Sequence, residues 1–389
     1  MTQTKHSLVL RSAAWPAAVI LVFHRVAVLA LNGTITDDFS TVYHALRRFI
    51  EGGQVYEQAY DSVDPLYLYT PGATLALSPI GLLPFEVART LFIVFDAAAI
   101  IAALALLTRL CGHSLRGTLF PTSIALAFAT ESVTNTLAFT NINGFLLVAM
   151  AGFLYWLQSR PWASGLCIGL AILIKPQFAP LLFLPLIKRS WLNIAVGVGL
   201  PVAVNLVAWA VAPGARGYAE KLLPYLSTTR DFANASWDGA RAYFGMPGAL
   251  YYPVWILFAL LAAFAILGLV RWHESEPVFW ALSTSGVIMA GIFFLSSLGQ
   301  QYYSMWLFPM MFTVVCSRSI FHTWGAWLAA FLFLAPLEWT SVHMPTAAHW
   351  MSVFTTTIGW GLLLVVSAAS VAGWWAASPR KAQGATLPA

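Results

Sequence analysis

Residues 12–31 are almost uninterrupted apolar sequence, and comparable runs recur at 87–108, 117–130, 144–158, 161–174, 176–187, 191–211, 250–270, 277–297, 303–317, 322–340 and 351–376. A helix that crosses the hydrocarbon core needs ~20 predominantly apolar residues. The pattern therefore predicts an all-α polytopic membrane protein with ten to twelve transmembrane helices. Several runs are short, and the pair flanking Lys175 reads either as one broken segment or as two half-buried helices. One stretch departs from continuous hydrophobicity. In "FSTVYHALRRFIEGG", Phe39, Val42, Ala45, Leu46, Phe49 and Ile50 share one helical face while His44, Arg47 and Arg48 lie elsewhere. Such a helix suits the plane of a membrane interface. Gly52 and Gly53 end it.

Polar residues between the runs are divided unequally. With the N-terminus inside, short inside segments carry Lys5, Arg11, Arg109, Arg116, Arg160, Lys188, Arg189, Arg271, Arg318, Arg380 and Lys381. That is the pattern expected of cytoplasmic loops. The opposite side has two long loops, 32–86 and 212–249, which hold most of the acids; a tail at 377–389 falls inside. Within the first loop, "DPLYLYTPGATLALSPIGLLP" (64–84) predicts a re-entrant segment walling a cavity. No internal repeat or soluble domain interrupts residues 1–389, which read as one transmembrane unit.

Composition agrees: 59% of residues are apolar and 9% charged, against about 25% charged in soluble domains. The net charge of +5 then reads as an orientation signal, not a nucleic-acid footprint. Cys111, Cys167 and Cys316 lie in or near apolar runs and show neither disulfide nor zinc spacing. The first run lacks an A-x-A-like cleavage site, which predicts a retained signal-anchor.

Candidate chemistry lies on the long-loop side. Asp37 and Asp38 read either as a solvated helix cap or as a general base with an orienting neighbour, Asp38 being the preferred base. A divalent cation would need further clustered acids, and none is evident. Lys175 in "LIKPQFAP" is expensive inside an apolar run. It reads as a snorkelling side chain or as a phosphate ligand, with Pro176 and Pro180 breaking the helix beside it. Arg230 in "STTRDFANAS" is either a surface ion pair with Asp231 or a phosphate clamp. Glu131, Asn141 and Asn143 suit a sugar-binding lining or a helix cap. Gln300, Gln301, Tyr302 and Tyr303 suit substrate contacts or an aromatic belt. Tyr69 and His44 complete the candidate substrate contacts. Arg25, mid-way along the first run, predicts a structural pair with an acid such as Asp96.

Acids in the first outside loop, long loops on that side and many spans together resemble the C-type (GT-C) fold of membrane glycosyltransferases that use polyprenyl-phosphate sugars. The "Y-x-Y-x-P-G" segment after "D-D-F…V-Y" is similar to family 87. The ordered strings "LRSAAWPAAVILVFHR", "NGTITDDF", "VDPLYLYTPG", "ATESVTNTLAFTNING", "KPQFAPLLFLPL", "TRDFANAS" and "QQYYSMWLFP" resemble its arabinofuranosyltransferases of the actinobacterial cell wall. Beyond about residue 310 the likeness is in hydropathy only, and no added C-terminal module is evident. The resemblance implies a decaprenyl-phosphoryl-arabinofuranose donor, an arabinan acceptor in arabinogalactan or lipoarabinomannan, an α(1→3) branch, and a base at Asp37 or Asp38. It implies an active site on the periplasmic face of the plasma membrane and no cofactor. Competing readings are a polyprenyl-phosphate-mannose-dependent transferase, a lipid-linked sugar flippase and a non-catalytic scaffold.

Overall fold

Six helices are long and apolar enough to cross a membrane, and five shorter apolar helices lie among them. The computed structural model describes residues 5–33, 37–62 and 66–377, with side chains from residue 8 onward except that of Asp37; among these residues there is no strand. Helix α1 (Lys5–Phe23) continues as a π-helix to Ala30. Then come α2 (Asp37–Glu51), α3 (Pro71–Leu77), α4 (Phe85–Leu110), α5 (Leu119–Phe128), α6 (Glu131–Ala138), α7 (Asn143–Trp156) and α8 (Pro161–Ile174). After Lys175 follow a 3-10 stretch (Pro176–Leu182), α9 (Phe183–Ile187), α10 (Trp191–Val211), α11 (Leu223–Ser227) and α12 (Trp237–Phe244). The remainder comprises α13 (Gly248–Leu269), α14 (Pro277–Leu295), a 3-10 stretch (Gln301–Leu307), α15 (Phe308–Met311), α16 (Trp324–Leu334) and α17 (Pro345–Ala377). The expected inside charges Arg380 and Lys381, and the tail beyond Ala377, lie outside the described residues.

The segment around Lys175 resolves one alternative. Gly165 approaches Asn193 and Val196, Gly169 approaches Gly197 and Leu200, and Gly72 sits between Leu173 and Asn205. Helices α8 and α10 therefore run parallel, so the chain between them must turn back. Lys175 marks a reversal between two half-depth segments. Its extended backbone (φ −131°, ψ 101°) and the two following prolines prevent α8 from continuing. Helices α7 and α8 have 14 residues each and so rise only ~21 Å, against a hydrocarbon core of ~30 Å. Their ends at Asn143 and Lys175 thus stop short of one surface and floor a depression. Buried α14 stands at the centre of the bundle.

Two sequence expectations are corrected. Arg25 does not pair with Asp96. Its Nε donates to the carbonyl of Phe128 at the end of α5 (3.1 Å), where unpaired carbonyls and the helix dipole attract a cation. Asp96 Oδ1 instead accepts from the Phe145 amide at the start of α7 (3.0 Å), serving the opposite end of a dipole. Nor does α2 lay its apolar face on lipid. Phe39, Ala45 and Leu46 are buried within the protein, and Phe39 packs against Phe85 and Phe92. Of the expected face only Ile50 is exposed, and the helix closes at left-handed Gly52 (φ 77°).

Candidate active site

Asp38 lies in the first turn of α2, and its Oδ2 accepts from Asn141 Nδ2 (2.7 Å) and the Tyr302 phenol (3.5 Å). The latter phenol also meets Gln300 Oε1. Burial first, and the Asp38 carboxylate second, push the Tyr302 phenol well above its ordinary pKa. It therefore stays protonated and acts as a donor. Tyr69 is buried among the same charges and rises for the same reasons.

Lys175 closes the cluster from the floor. Its Nζ donates to Asn143 Oδ1 (3.0 Å) and lies over the rings of Tyr303 (4.5 Å), Trp306 (5.1 Å) and Tyr302 (5.9 Å). Those neighbours stabilise a cation through an amide dipole and ring faces, and none of them neutralises it. Trp306 Nε1 donates to the Asn143 backbone carbonyl (3.1 Å), which fixes the start of α7 against the 3-10 stretch. Asn141 and Asn143, two residues apart at the α6–α7 junction, thus hold the carboxylate and the ammonium respectively.

Arg230 sits further out. It donates to the Tyr225 hydroxyl (3.5 Å), and its charge opposes the rise at Tyr302. Asn234 holds its loop. The Asn234 side chain donates to the carbonyls of Arg230 (3.0 Å) and Ser297 (2.8 Å), and accepts from the amides of Ser236 (3.1 Å) and Gly299 (2.9 Å). One buried amide therefore ties the Arg230 loop to the Gln300 loop.

The candidates divide accordingly. Asp38, Tyr69, Asn141, Asn143, Lys175, Gln300, Tyr302 and Tyr303 form one cluster, with Arg230 at its edge. Glu131 lies at the far end of α6 from Asn141, in its first turn. Gln301 begins the 3-10 stretch and is half-buried. His44 is exposed and stacks on Phe85 (6.3 Å, 15°), away from the cluster. Asp37 opens α2, but its carboxylate and residues 34–36 lie outside the described structure. Sequence reasoning missed Asn234 and the tyrosine ladder in the first loop. In that ladder Tyr60 donates to the Tyr67 carbonyl (2.9 Å) and Tyr56 to the Tyr69 carbonyl (2.8 Å). The crowding of tyrosines between residues 56 and 69 was the available signal.

Two cavities flank the cluster. An apolar groove of about 520 Å³ is lined by Thr70, Pro71 and Pro176 together with Val198, Val202 and Leu206 of α10. The last three are exposed on the outside of the bundle. A polar cleft of about 800 Å³ is lined partly by Arg230. Among the described residues no three His, Cys, Asp or Glu side chains converge on a metal position.

This arrangement places a carboxylate and an ammonium in one buried polar cluster, flanked by one apolar and one polar cavity. Residues 67–297 match the model of glycosyltransferase family 87. The chain is 52% identical to an alpha-(1→3)-arabinofuranosyltransferase of Corynebacterium glutamicum, over 94% of this chain and 88% of that protein. A Mycolicibacterium smegmatis protein of the same description is 40% identical, over 92% and 84%. A polyprenol-phosphate-mannose-dependent alpha-(1-2)-phosphatidylinositol pentamannoside mannosyltransferase of Mycolicibacterium smegmatis is 27% identical, over 85% and 82%. By the family match and by identity over most of its length, the chain belongs to glycosyltransferase family 87.

Proposed function

We propose that the protein transfers arabinofuranose from decaprenyl-phosphoryl-arabinofuranose to an arabinan acceptor of arabinogalactan or lipoarabinomannan. The product is an α(1→3) branch, made with inversion on the periplasmic face of the plasma membrane. The observation that carries the reading is the pairing of Asp38 with Lys175 across Asn141, Asn143 and Tyr302, beside an apolar groove that begins at Pro176. The named activities of the 52% and 40% identical relatives support the choice of sugar.

The prenyl tail lies in the apolar groove, reached from the lipid past Val198, Val202 and Leu206. Its phosphate meets Lys175 where the groove joins the polar cluster, with Arg230 on the outer side. Asp38 accepts the proton of the acceptor hydroxyl as its oxygen bonds to the anomeric carbon. The bond from that carbon to the phosphate oxygen breaks, and the electron pair leaves on the lipid phosphate. Fixed positive charge where negative charge gathers is the most effective electrostatic help available. Asn141 and Tyr302 orient the carboxylate, and removal of one positioned base typically costs about 10²–10⁴-fold in rate.

The test uses purified protein in detergent with the arabinosyl donor, a short arabinan and no gradient. Release of decaprenyl phosphate with lengthening of the arabinan is the expected result. Asp38→Asn lowers turnover by about 10²–10⁴-fold and leaves donor affinity largely intact. Wild-type turnover in that variant would remove Asp38 as base. Preferential use of a mannosyl donor would reassign the sugar, and movement of intact donor without transfer would favour a flippase.

A further inference from the structure

Outside Arg230 the polar cleft of about 800 Å³ is walled by both long loops: Tyr60 and Asp61 from the first, Glu220, Tyr225, Thr229 and Arg230 from the second. Its size falls within the roughly 300–1,000 Å³ typical of ligand pockets. The walls are joined to each other. Lys221 Nζ donates to the Tyr56 carbonyl (3.3 Å), and the rings of Tyr60 and Tyr225 pack 5.7 Å apart at 55°. The cleft also connects inward. Tyr60 is anchored on the Tyr67 carbonyl, Tyr67 packs edge-on against Tyr69, and Tyr69 lies within the field of Asp38. Arg230 makes the second connection, through Tyr302.

The lining chemistry points to a class of ligand. Asp61 and Glu220 are exposed carboxylates, and among the described residues neither has an ion-pair partner. Beside them stand the Asp231 carboxylate, the Lys221 ammonium, the Arg230 guanidinium, hydroxyls and two aromatic rings. A prenyl chain gains nothing on such a surface, and three carboxylates set against two cations give a polyanion no net attraction. A neutral polyhydroxylated chain fits. Carboxylates and Arg take pairs of hydroxyls in a fixed plane, and tyrosine faces cover the C–H side of a sugar ring while their hydroxyls stay hydrogen-bonded.

We propose that this cleft is the acceptor subsite, holding the oligosaccharide residues beyond the one that is modified. The proposal rests on the transferase reading above. It makes acceptor length a property of Tyr60, Asp61, Glu220 and Tyr225, while reaction at the anomeric carbon stays with Asp38 and Lys175.

The experiment measures kcat/KM for a linear arabinofuranosyl hexasaccharide and for the disaccharide, and compares their ratio in wild type, Asp61→Ala, Glu220→Ala and Tyr225→Ala. Because the comparison is internal to each variant, partial loss of folded protein cancels. The wild type prefers the longer acceptor, and each variant lowers the ratio by about tenfold. A ratio unchanged in all three variants, or a wild type indifferent to length, overturns the subsite. Absence of transfer to either acceptor in the wild type would instead overturn the transferase reading. In that case saturation-transfer NMR of the hexasaccharide with wild type and Tyr225→Ala in detergent still decides the cleft: signal lost in the variant supports it, and equal signal refutes it.

Discussion

Thr140 does what glycine does elsewhere in this chain. Helices α2, α4 and α12 close on left-handed Gly52 (φ 77°), Gly112 (φ 78°) and Gly245 (φ 60°). Helix α6 closes in the same way, with the Asn141 amide on the Thr136 carbonyl (2.8 Å) and the Thr140 amide on the Leu137 carbonyl (3.1 Å). These are the two bonds of a Schellman motif. Thr140 adopts φ 53°, is buried, and leaves its hydroxyl without a hydrogen-bond partner among the described residues. A β-branched residue in that region is strained by roughly 1–2 kcal/mol. The turn aims Asn141 at Asp38, so strain is stored next to the proposed base, as is common at functional sites. Thr140→Gly should raise stability by about 1 kcal/mol, seen as a higher thermal unfolding midpoint in detergent. A lower midpoint would mean that the side chain holds the turn.

At the scale of elements, the site depends on loops joined by a few buried hydrogen bonds. Asn234 saturates four backbone groups from two loops, and the Ala235 amide adds a bond to the Gly299 carbonyl (2.6 Å). Asn234→Ala leaves those groups unsatisfied at about 1–3 kcal/mol each where water cannot reach. A loss on the order of 3 kcal/mol is expected, since some regain water. Because Arg230 and Gln300 then move independently, KM for the donor should rise more than in Ser297→Ala, whose hydroxyl makes one long bond to the Leu226 carbonyl (3.3 Å). Equal KM values in the two variants would show that the knot stabilises the fold without positioning the site. Helix α2 teaches a related lesson. Its amphipathic face was legible, but its partner was not, because the same stripe fits either lipid or a protein groove. Phe85 and Phe92 of α4 decided for protein.

At the scale of the molecule, the two ends of the bundle differ. Arg11 donates to the Arg116 carbonyl (3.0 Å), so the start of α1 shares an end with the α4–α5 connection. The reversal at Lys175 puts Arg160, Lys188 and Arg189 at the end opposite the cluster. A cysteine introduced at Ser62 should therefore be labelled by an impermeant maleimide in intact cells, and one at Ser159 only after lysis. Labelling of Ser159→Cys from outside would invert the proposed sidedness.

The hydropathy pattern alone determined the all-α class and the crossing of a membrane, because lipid rewards long apolar runs whatever their partners. It also exposed Asp38 and Lys175, since a charge next to or within such a run is costly and stands out. Tertiary structure alone decided that Asn141 meets Asp38, that Arg25 caps α5 and leaves Asp96 to α7, that His44 turns away, and that Asn234 joins two loops. Those outcomes depend on hydrogen bonds between residues 49 to 103 positions apart, or on the direction in which a short polar side chain points. Neither leaves a period or a composition in the chain, because a single directional bond depends on where the backbone has been brought rather than on the residues beside it.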